Sequence, residues 1–598
     1  MAKLLTRAEV PVEQTWNLAD LFATQDLWEQ EMKAIEADAA SVTQYKGRLG
    51  EGASTLLACL TAYEEIYGRI IRATTYAHLR MAEDGTNPAN QAVAAKAQAL
   101  QARLGAAFSF VQSEILLLPE GSVERYLQEE PGLEVYRNTL EQILETKPHA
   151  LHPETEAALA ALSEVTHAPY MIYNRAKSSD MQFEPISAGG AEQPVSFSTY
   201  EEALEKDPDV ETRRAAFRSF TEGLKKYKNT FAATFATEVK KNVVLARLRK
   251  YESTTHMLLK PQRVTMEMYS NVLDIIQSEV APHMRRYARL RKRVLGLDKL
   301  LYCDIEAPLD PEYDPKVTFE EASDIILEGL EVLGPEYLKI MRTALKERWV
   351  DWSSNIGKST GAFCSSPYGA HSFILISWAG TMRNVLVLAH ELGHAGHFML
   401  ANKYQRLVNT RPSMFFIEGP STINELLVGQ HIMAKSTDPR MKRWVIMQFL
   451  ATYHHNFVRH LLEGELQRRI YALAEKGTPI TEVTLSTTKG EILNEFWGGE
   501  VEIDMGAKLT WMRQPHYYMG LYPYTYSAGL TAATAAAQAI REEGQPAVDR
   551  WLKALKAGGT LKPLELMQLA GIDMTKPDPI RKAVAYVGEL VDELEKSF

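Results

Sequence analysis

Cysteine is scarce in this chain and never clustered. Three are spread over 598 residues, at Cys59, Cys303 and Cys364. No Cys-x-x-Cys pair occurs, which argues against a disulfide framework and suits a reducing compartment. Long apolar runs are missing as well. Stretches such as "SFILISWAG" at 372–380 stop far short of the ~20 residues that cross a bilayer. The opening "MAKLLTRAEVPVEQTW" has no apolar stretch of signal-peptide length. The expectation is a cytoplasmic protein with no membrane partner. A basic excess is also absent: 66 Lys and Arg stand against 76 Asp and Glu, for a formal charge of −10. Nucleic-acid binders carry a basic field, so a nucleic-acid partner is not expected. There is no sustained heptad, short-period repeat or low-complexity tract, and strand signals are few.

What is present is mostly helical. Apolar residues make up 45% and charged ones 24%, ordinary for a globular protein. A chain of this length exceeds one hydrophobic core. The Gly-rich "EPISAGGAEQPVS" (184–196) reads as a lobe boundary or an exposed hairpin. It suggests an N-terminal helical lobe over 1–195 and a second region over 196–598. Leu56, Leu60, Tyr63, Tyr67, Ile70 and Thr74 follow helical spacing and predict one buried stripe. Thr318-x-x-Glu321 and Ser198-x-x-Glu201 read as capping boxes, with Gly334 placed to end the helix that Thr318 opens. "GAFCSSPYGAHSFILIS" (361–377) is the best strand candidate, a hairpin or small sheet. "DIEAPLDPEYDP" (304–315), with three prolines, is expected to run over the surface.

Directly after the strand candidate comes "LAHELGHAGH" (388–397). His390, Glu391 and His394 form H-E-x-x-H. On a helix, i and i+4 share a face, so two imidazoles can reach one zinc ion. Glu391 then lies beside a water on that ion. A catalytic zinc takes a third protein ligand and keeps a fourth position open. The pattern H-E-x-x-H-x-x-G-x-x-H does not supply it, because His397 and Leu400 stand where Gly and His belong. A later glutamate is the other option. Glu418 follows Phe415, Phe416 and Ile417, and an acid there is expensive to bury without a cation. Glu418 is therefore the better ligand candidate. Glu425, which also completes a Thr422-x-x-Glu425 capping box, suits the task of orienting a ligand histidine. His397 shares the face of the other two but is not taken as a ligand.

Four stretches carry a family resemblance: "EQTWNLADLF" (13–22), "GAFCSSPYGAHSFILISWAGTMRNVLVLAHELGHAGH" (361–397), "FFIEGPSTINE" (415–425) and "HYYMGLYPYTYSAG" (516–529). With them the sequence resembles the thimet oligopeptidase family, most closely its bacterial oligoendopeptidase F branch, a group that includes Pz-peptidases acting on collagen-derived peptides. The resemblance implies a mainly α fold, with two helical lobes enclosing a deep substrate channel and a small β-sheet beside the zinc helix. It implies one Zn2+ per chain held by His390, His394 and Glu418 within the region 196–598, with Glu391 as general base. It implies cleavage of short peptide substrates, with His516, Tyr522 and Tyr526 as substrate and transition-state contacts. The animal branch has a Gly-rich run between its histidine and its tyrosines. Here "YPYTYSAG" sets three tyrosines at alternate positions, so the division of roles among Tyr522, Tyr524 and Tyr526 stays open.

In such a site Glu391 would take a proton from water and pass it to the departing amine. A tyrosine O–H or histidine N–H would face the charge that develops on the carbonyl oxygen. The edge of "SFILIS" is a candidate for holding an extended peptide backbone. Cys364 reads as a small apolar residue, since no Cys-His-Asn pattern marks a nucleophile. Two other readings remain: a dipeptidyl carboxypeptidase-type exopeptidase on the same scaffold, and a helical binding scaffold with a structural metal.

Overall fold

The computed structural model describes residues 4–598. The described residues are mainly α, with two small sheets among them. The elements used below are, in chain order, helices α1 (Ala53–Glu83), α2 (Pro88–Phe108), α3 (Val210–Leu248), α4 (Met266–Val294), α5 (Met382–Tyr404), α6 (Met414–Lys435), α7 (His460–Glu475), α8 (Pro523–Glu543), α9 (Gln545–Ala557) and α10 (Asp578–Ser597). The strands are β1 (Ile186–Ala188), β2 (Ala191–Gln193), β3 (Val350–Asp351), β4 (Phe363–Ser365) and β5 (Phe373–Leu375).

By contact the residues form two units, each assembled from three segments. The first comprises Met1–Pro148, Pro315–Ala434 and Ala536–Ile572; the second comprises His149–Asp314, Lys435–Ala535 and Asp573–Phe598. The sequence boundary after residue 195 divides the chain by position, whereas these units divide it by packing, and 195/196 lies inside the second. The Gly-rich stretch there is a hairpin. β1 pairs antiparallel with β2, and Gly189 and Gly190 turn between them at φ +58° and +80°. Two consecutive positive φ values are what a tight hairpin turn requires.

In the first unit α1 packs on α2. Its buried stripe includes Leu56, Cys59, Leu60, Ile66, Ile70 and Ala73, while Tyr67 of the expected stripe is exposed. Phe373 and Leu375 join the same core. The hairpin expected over 361–377 forms, with β4 antiparallel to β5, and β3 adds on the other side in parallel. The order β3-β5-β4 makes β5 central. That explains its unbroken apolar run, buried on both faces. It also overturns "SFILIS" as a docking edge, because its backbone is engaged on both sides. The outer strand β4 packs beside α5.

The second unit is built on α3 and α4, with α7 against α3 and α10 along α4. The stretch 304–315 begins in its core. Asp304 is fully buried and paired with Arg213 at 2.8 Å and Arg214 at 2.7 Å. Two guanidiniums offset the burial of that carboxylate, so only the later part of the stretch reaches the surface. The Thr318 capping box forms as expected, but its helix ends at Gly329. Gly334 instead opens the next helix, Gly334–Lys346. The cap expected at Ser198 lies at Ser196, whose hydroxyl accepts from the Thr199 N–H. No helix among the described residues is long and apolar enough to cross a membrane.

Candidate active site

His390 and His394 stand one turn apart on α5, with ring centroids 5.1 Å apart. The third group comes from α6, which lies against α5 at Gly393. A Cβ there would meet the Pro420 carbonyl oxygen at 2.4 Å and Ser421 Cα at 2.6 Å. Only hydrogen at that position lets the two backbones approach so closely. A cross-link fixes the register: Tyr337 donates to Asn424 at 3.1 Å, and Asn424 Nδ2 donates to the Ala389 carbonyl at 3.1 Å. Gly396 makes room for the Tyr337 ring, since a Cβ there would lie 2.4 Å from it.

α6 runs unbroken through Met414–Lys435 with Pro420 inside it. The capping box expected at Thr422 is therefore absent, because Thr422 lies inside the helix. Proline removes one helical N–H. Ser421 Oγ donates to the Glu418 carbonyl at 2.9 Å and lies 3.2 Å from Glu418 Oε2. Because the helix continues, Glu418 and Glu425 are two turns apart on one face, and both reach the histidines. Glu418 Oε2 lies 3.5 Å from His390 Nε2 and 3.6 Å from His394 Nε2. Glu425 Oε1 lies 2.5 Å from His390 Nδ1, the contact that fixes a ligand histidine's ring orientation.

These spacings test whether the residues fit a metal. Ligands bound at ~2.0–2.1 Å in a tetrahedron stand about 3.4 Å from one another. The distances from Glu418 to the two Nε2 atoms match that edge, and the donor set of two imidazoles and a carboxylate suits zinc. Glu391 is buried beside the cluster. Burial, with the nearby Glu418 and Glu425 charges, pushes its carboxyl up to about 7, against the pull of His390. Burial would also raise Glu418, but the His390 hydrogen bond and the two imidazoles hold it at about 2. His397 is fully buried and stacked on Phe398. Neither of its ring nitrogens has a partner, so it belongs to the packing beneath the site.

His516, Tyr522 and Tyr526 come together in the second unit. His516 sits on the short turn Pro515–Tyr518. Its ring centroid lies 5.3 Å from that of Tyr522 and 5.6 Å from that of Tyr526. Burial pushes its pKa down to about 4 against the pull of Glu463. Tyr524 is separate: it is fully buried, packs edge-on against Tyr269, and donates to Gln262 at 2.5 Å. Tyr524 and Tyr526 lie on a helix, where i and i+2 point about 200° apart. A second histidine–carboxylate group sits beside them, formed by His460, Glu463 and His516. There His460 Nδ1 lies 2.8 Å from Glu463 Oε2, a hydrogen-bond distance shorter than the edge between two metal ligands.

A sequence model described as Peptidase family M3 matches residues 203–586, and one described as Oligopeptidase F matches 114–183. This chain belongs to peptidase family M3. As an M3 peptidase it is 33% identical over 595 residues to oligopeptidase PepF of Bacillus subtilis, covering 99% of this chain and 88% of that one. It is 28% identical to an oligoendopeptidase F homolog of Borreliella burgdorferi, with both chains covered in full. Among solved structures, a Chlamydophila abortus protein superimposes over both whole chains with TM-score 0.91 and 27% identity. Oligoendopeptidase-F from Enterococcus faecium does so with TM-score 0.74 and 27% identity, covering 96% of this chain and 99% of that one.

Sequence reading missed the residues that bring α6 to α5, namely Gly393, Gly396, Asn424 and Tyr337. Two glycines within the H-E-x-x-H helix were the available signal. It also missed His455, His460 and Glu463, although "HHNFVRHLLEGE" (454–465) holds three histidines and two glutamates, with His460 and Glu463 at helical spacing.

Proposed function

We propose that this peptidase is a zinc-dependent endopeptidase that hydrolyses internal bonds of short oligopeptides, with Glu391 as general base. The observation that carries the proposal is that Glu418 Oε2 stands at tetrahedral-edge distance from both His390 Nε2 and His394 Nε2, the three forming one cluster with the buried Glu391 adjoining. The names of the relatives, oligopeptidase and oligoendopeptidase F, point to the same substrate class. His390, His394 and Glu418 would hold one ion per chain, and Glu425 would keep the His390 ring in place. An ion there supplies Lewis-acid polarisation of a carbonyl and lowers the pKa of water.

Glu391 then accepts the proton of the attacking water and returns it to the leaving amine. His516, Tyr522 and Tyr526 offer N–H and O–H donors for charge developing on the carbonyl oxygen, each worth about 3–4 kcal/mol. Tyr524 is excluded from that task by its bond to Gln262. β4 is the outer strand next to α5 and offers the backbone edge that β5 cannot. The three cysteines are free, two of them buried, and we place the enzyme in the cytoplasm.

Peptides acetylated and amidated at their ends test the reading. We expect hydrolysis at internal bonds, abolished by a chelator and restored by zinc. Glu391→Gln should lower the rate by about 10²–10⁴-fold while metal content stays near one per chain. Hydrolysis at the wild-type rate by that variant overturns the assignment. Cleavage confined to peptides with a free C-terminus replaces it with a carboxypeptidase.

A further inference from the structure

A buried histidine–carboxylate cluster of the second unit adjoins Tyr526 and His516. α7 opens directly after the π-helical turn His454–Arg459, so His460 and Glu463 sit one turn apart on its first stretch. Both are buried, at 2% and 4% exposure. His460 Nδ1 donates to Glu463 Oε2 at 2.8 Å, and His460 Nε2 lies 3.0 Å from His455 Nε2. Both ring nitrogens of His460 are therefore tied, which fixes the plane of the ring. Tyr526 stacks on that plane, with centroids 4.1 Å apart and 14° between the rings. His516 touches it from the side at 5.1 Å. His516 Nδ1 is buried and has no hydrogen-bond partner, so its own ring is placed by packing against these neighbours.

We infer that the buried Glu463–His460 pair is a positioning device that sets Tyr526 and His516 for the reaction. This rests on the proposal that Tyr526 and His516 act on the substrate. A stacked ring follows the plane beneath it, and a donor displaced by about 1 Å costs on the order of 10²-fold in rate. Burying an ionised carboxylate is unfavourable unless it is paired. Burial would raise Glu463, and His460, Lys489 and His516 together hold it below its ordinary value. The arrangement keeps an anion at the Nδ1 edge of the imidazole whose face Tyr526 covers, where it orients the ring.

Blocked-peptide kinetics on His460→Phe, Glu463→Leu, Glu463→Gln, Tyr526→Phe and the double variant His460→Phe with Tyr526→Phe test the inference. We expect His460→Phe and Glu463→Leu to lower kcat by about 10²-fold with KM and metal content unchanged. Glu463→Gln keeps an acceptor for Nδ1 and should recover most of the rate. It also covers the case in which the bulkier changes do not fold. The double variant should be no slower than the slower single one, because Tyr526→Phe removes the hydroxyl that His460 serves to place. Multiplied losses in the double variant, or Glu463→Gln as slow as Glu463→Leu, overturn the positioning role alone. Full kcat in Tyr526→Phe overturns the role of the tyrosine and this inference with it, leaving Glu391 and the metal ligands untouched.

Discussion

The ring nitrogens of His390 and His394 that face away from Glu418 are held differently. His390 Nδ1 rests on Glu425, whereas His394 Nδ1 is buried without a partner. One imidazole is thus oriented by a carboxylate and the other by packing alone. Glu425→Ala should therefore weaken zinc binding by about 10–100-fold, with activity recovering at high zinc. Titration with a metallochromic competitor checks this, and unchanged affinity would remove Glu425 from the site. At this scale much was legible. The H-E-x-x-H spacing named three residues, and the cost of an acid among phenylalanines singled out Glu418 over Glu425. The role of Tyr524 was not legible, since three tyrosines at alternate positions look equivalent until a helix sends i and i+2 to opposite sides.

At the scale of elements, the site depends on how closely α6 approaches α5. Gly393→Ala places a methyl group against the backbone of Pro420 and Ser421, where no side chain can swing aside. The helices must separate, carrying Glu418 away from the imidazoles. We expect destabilisation of about 1–3 kcal/mol and at least about 10²-fold lower activity. Gly105→Ala is the control. It lies within α2 with open space around its Cβ, so thermal stability should rise slightly and activity should hold. Equal behaviour of the two variants in melting and peptide assays would refute the close-approach argument. The sequence indicates both helices, but its capping box at Thr422 starts α6 late, since the helix begins at Met414. Pro420 removes the N–H that would bond the Phe416 carbonyl, yet α6 passes through it while packed closely on α5, which no spacing rule reveals.

Over the whole molecule, the buried charges of the second unit govern its response to pH. A cavity of about 30 Å³ is lined by Glu205, Glu306, Arg459, Glu463, Lys489 and Arg513, among others. Glu205 pairs with Arg513 at 2.9 Å and with Arg459 at 2.8 Å. Lys489 is buried, and burial brings it from 10.5 down to about 8 against the pull of Glu463. Between those values the unfolded chain holds the lysine proton and the folded chain does not. Stability from this group therefore rises with pH from about 8 to 10.5 and is penalised in full below 8. The effect is about 3 kcal/mol at most. Lys489→Met should be more stable than the parent at pH 7.5, with the difference closing by pH 10.5. Urea midpoints measured across that range decide it, and a pH-independent difference would refute the shift.

By itself the amino-acid order determined the helical class, the 361–377 hairpin, the helix that carries H-E-x-x-H and Glu418 as the acid to look for beside it. These follow from local periodicity and from the cost of burying single residues, both of which are readable along the chain. Tertiary structure alone decided that β5 is central and β4 outer. It also decided that Asp304 is core, that α6 is continuous, and that His460 and Glu463 underlie Tyr526. Each of those depends on groups distant in sequence meeting in space, and the two units are themselves built from interleaved segments. Close approach, pairing of buried charge and ring stacking are properties of such meetings, and they leave little trace in the spacing of residues along one strand or helix.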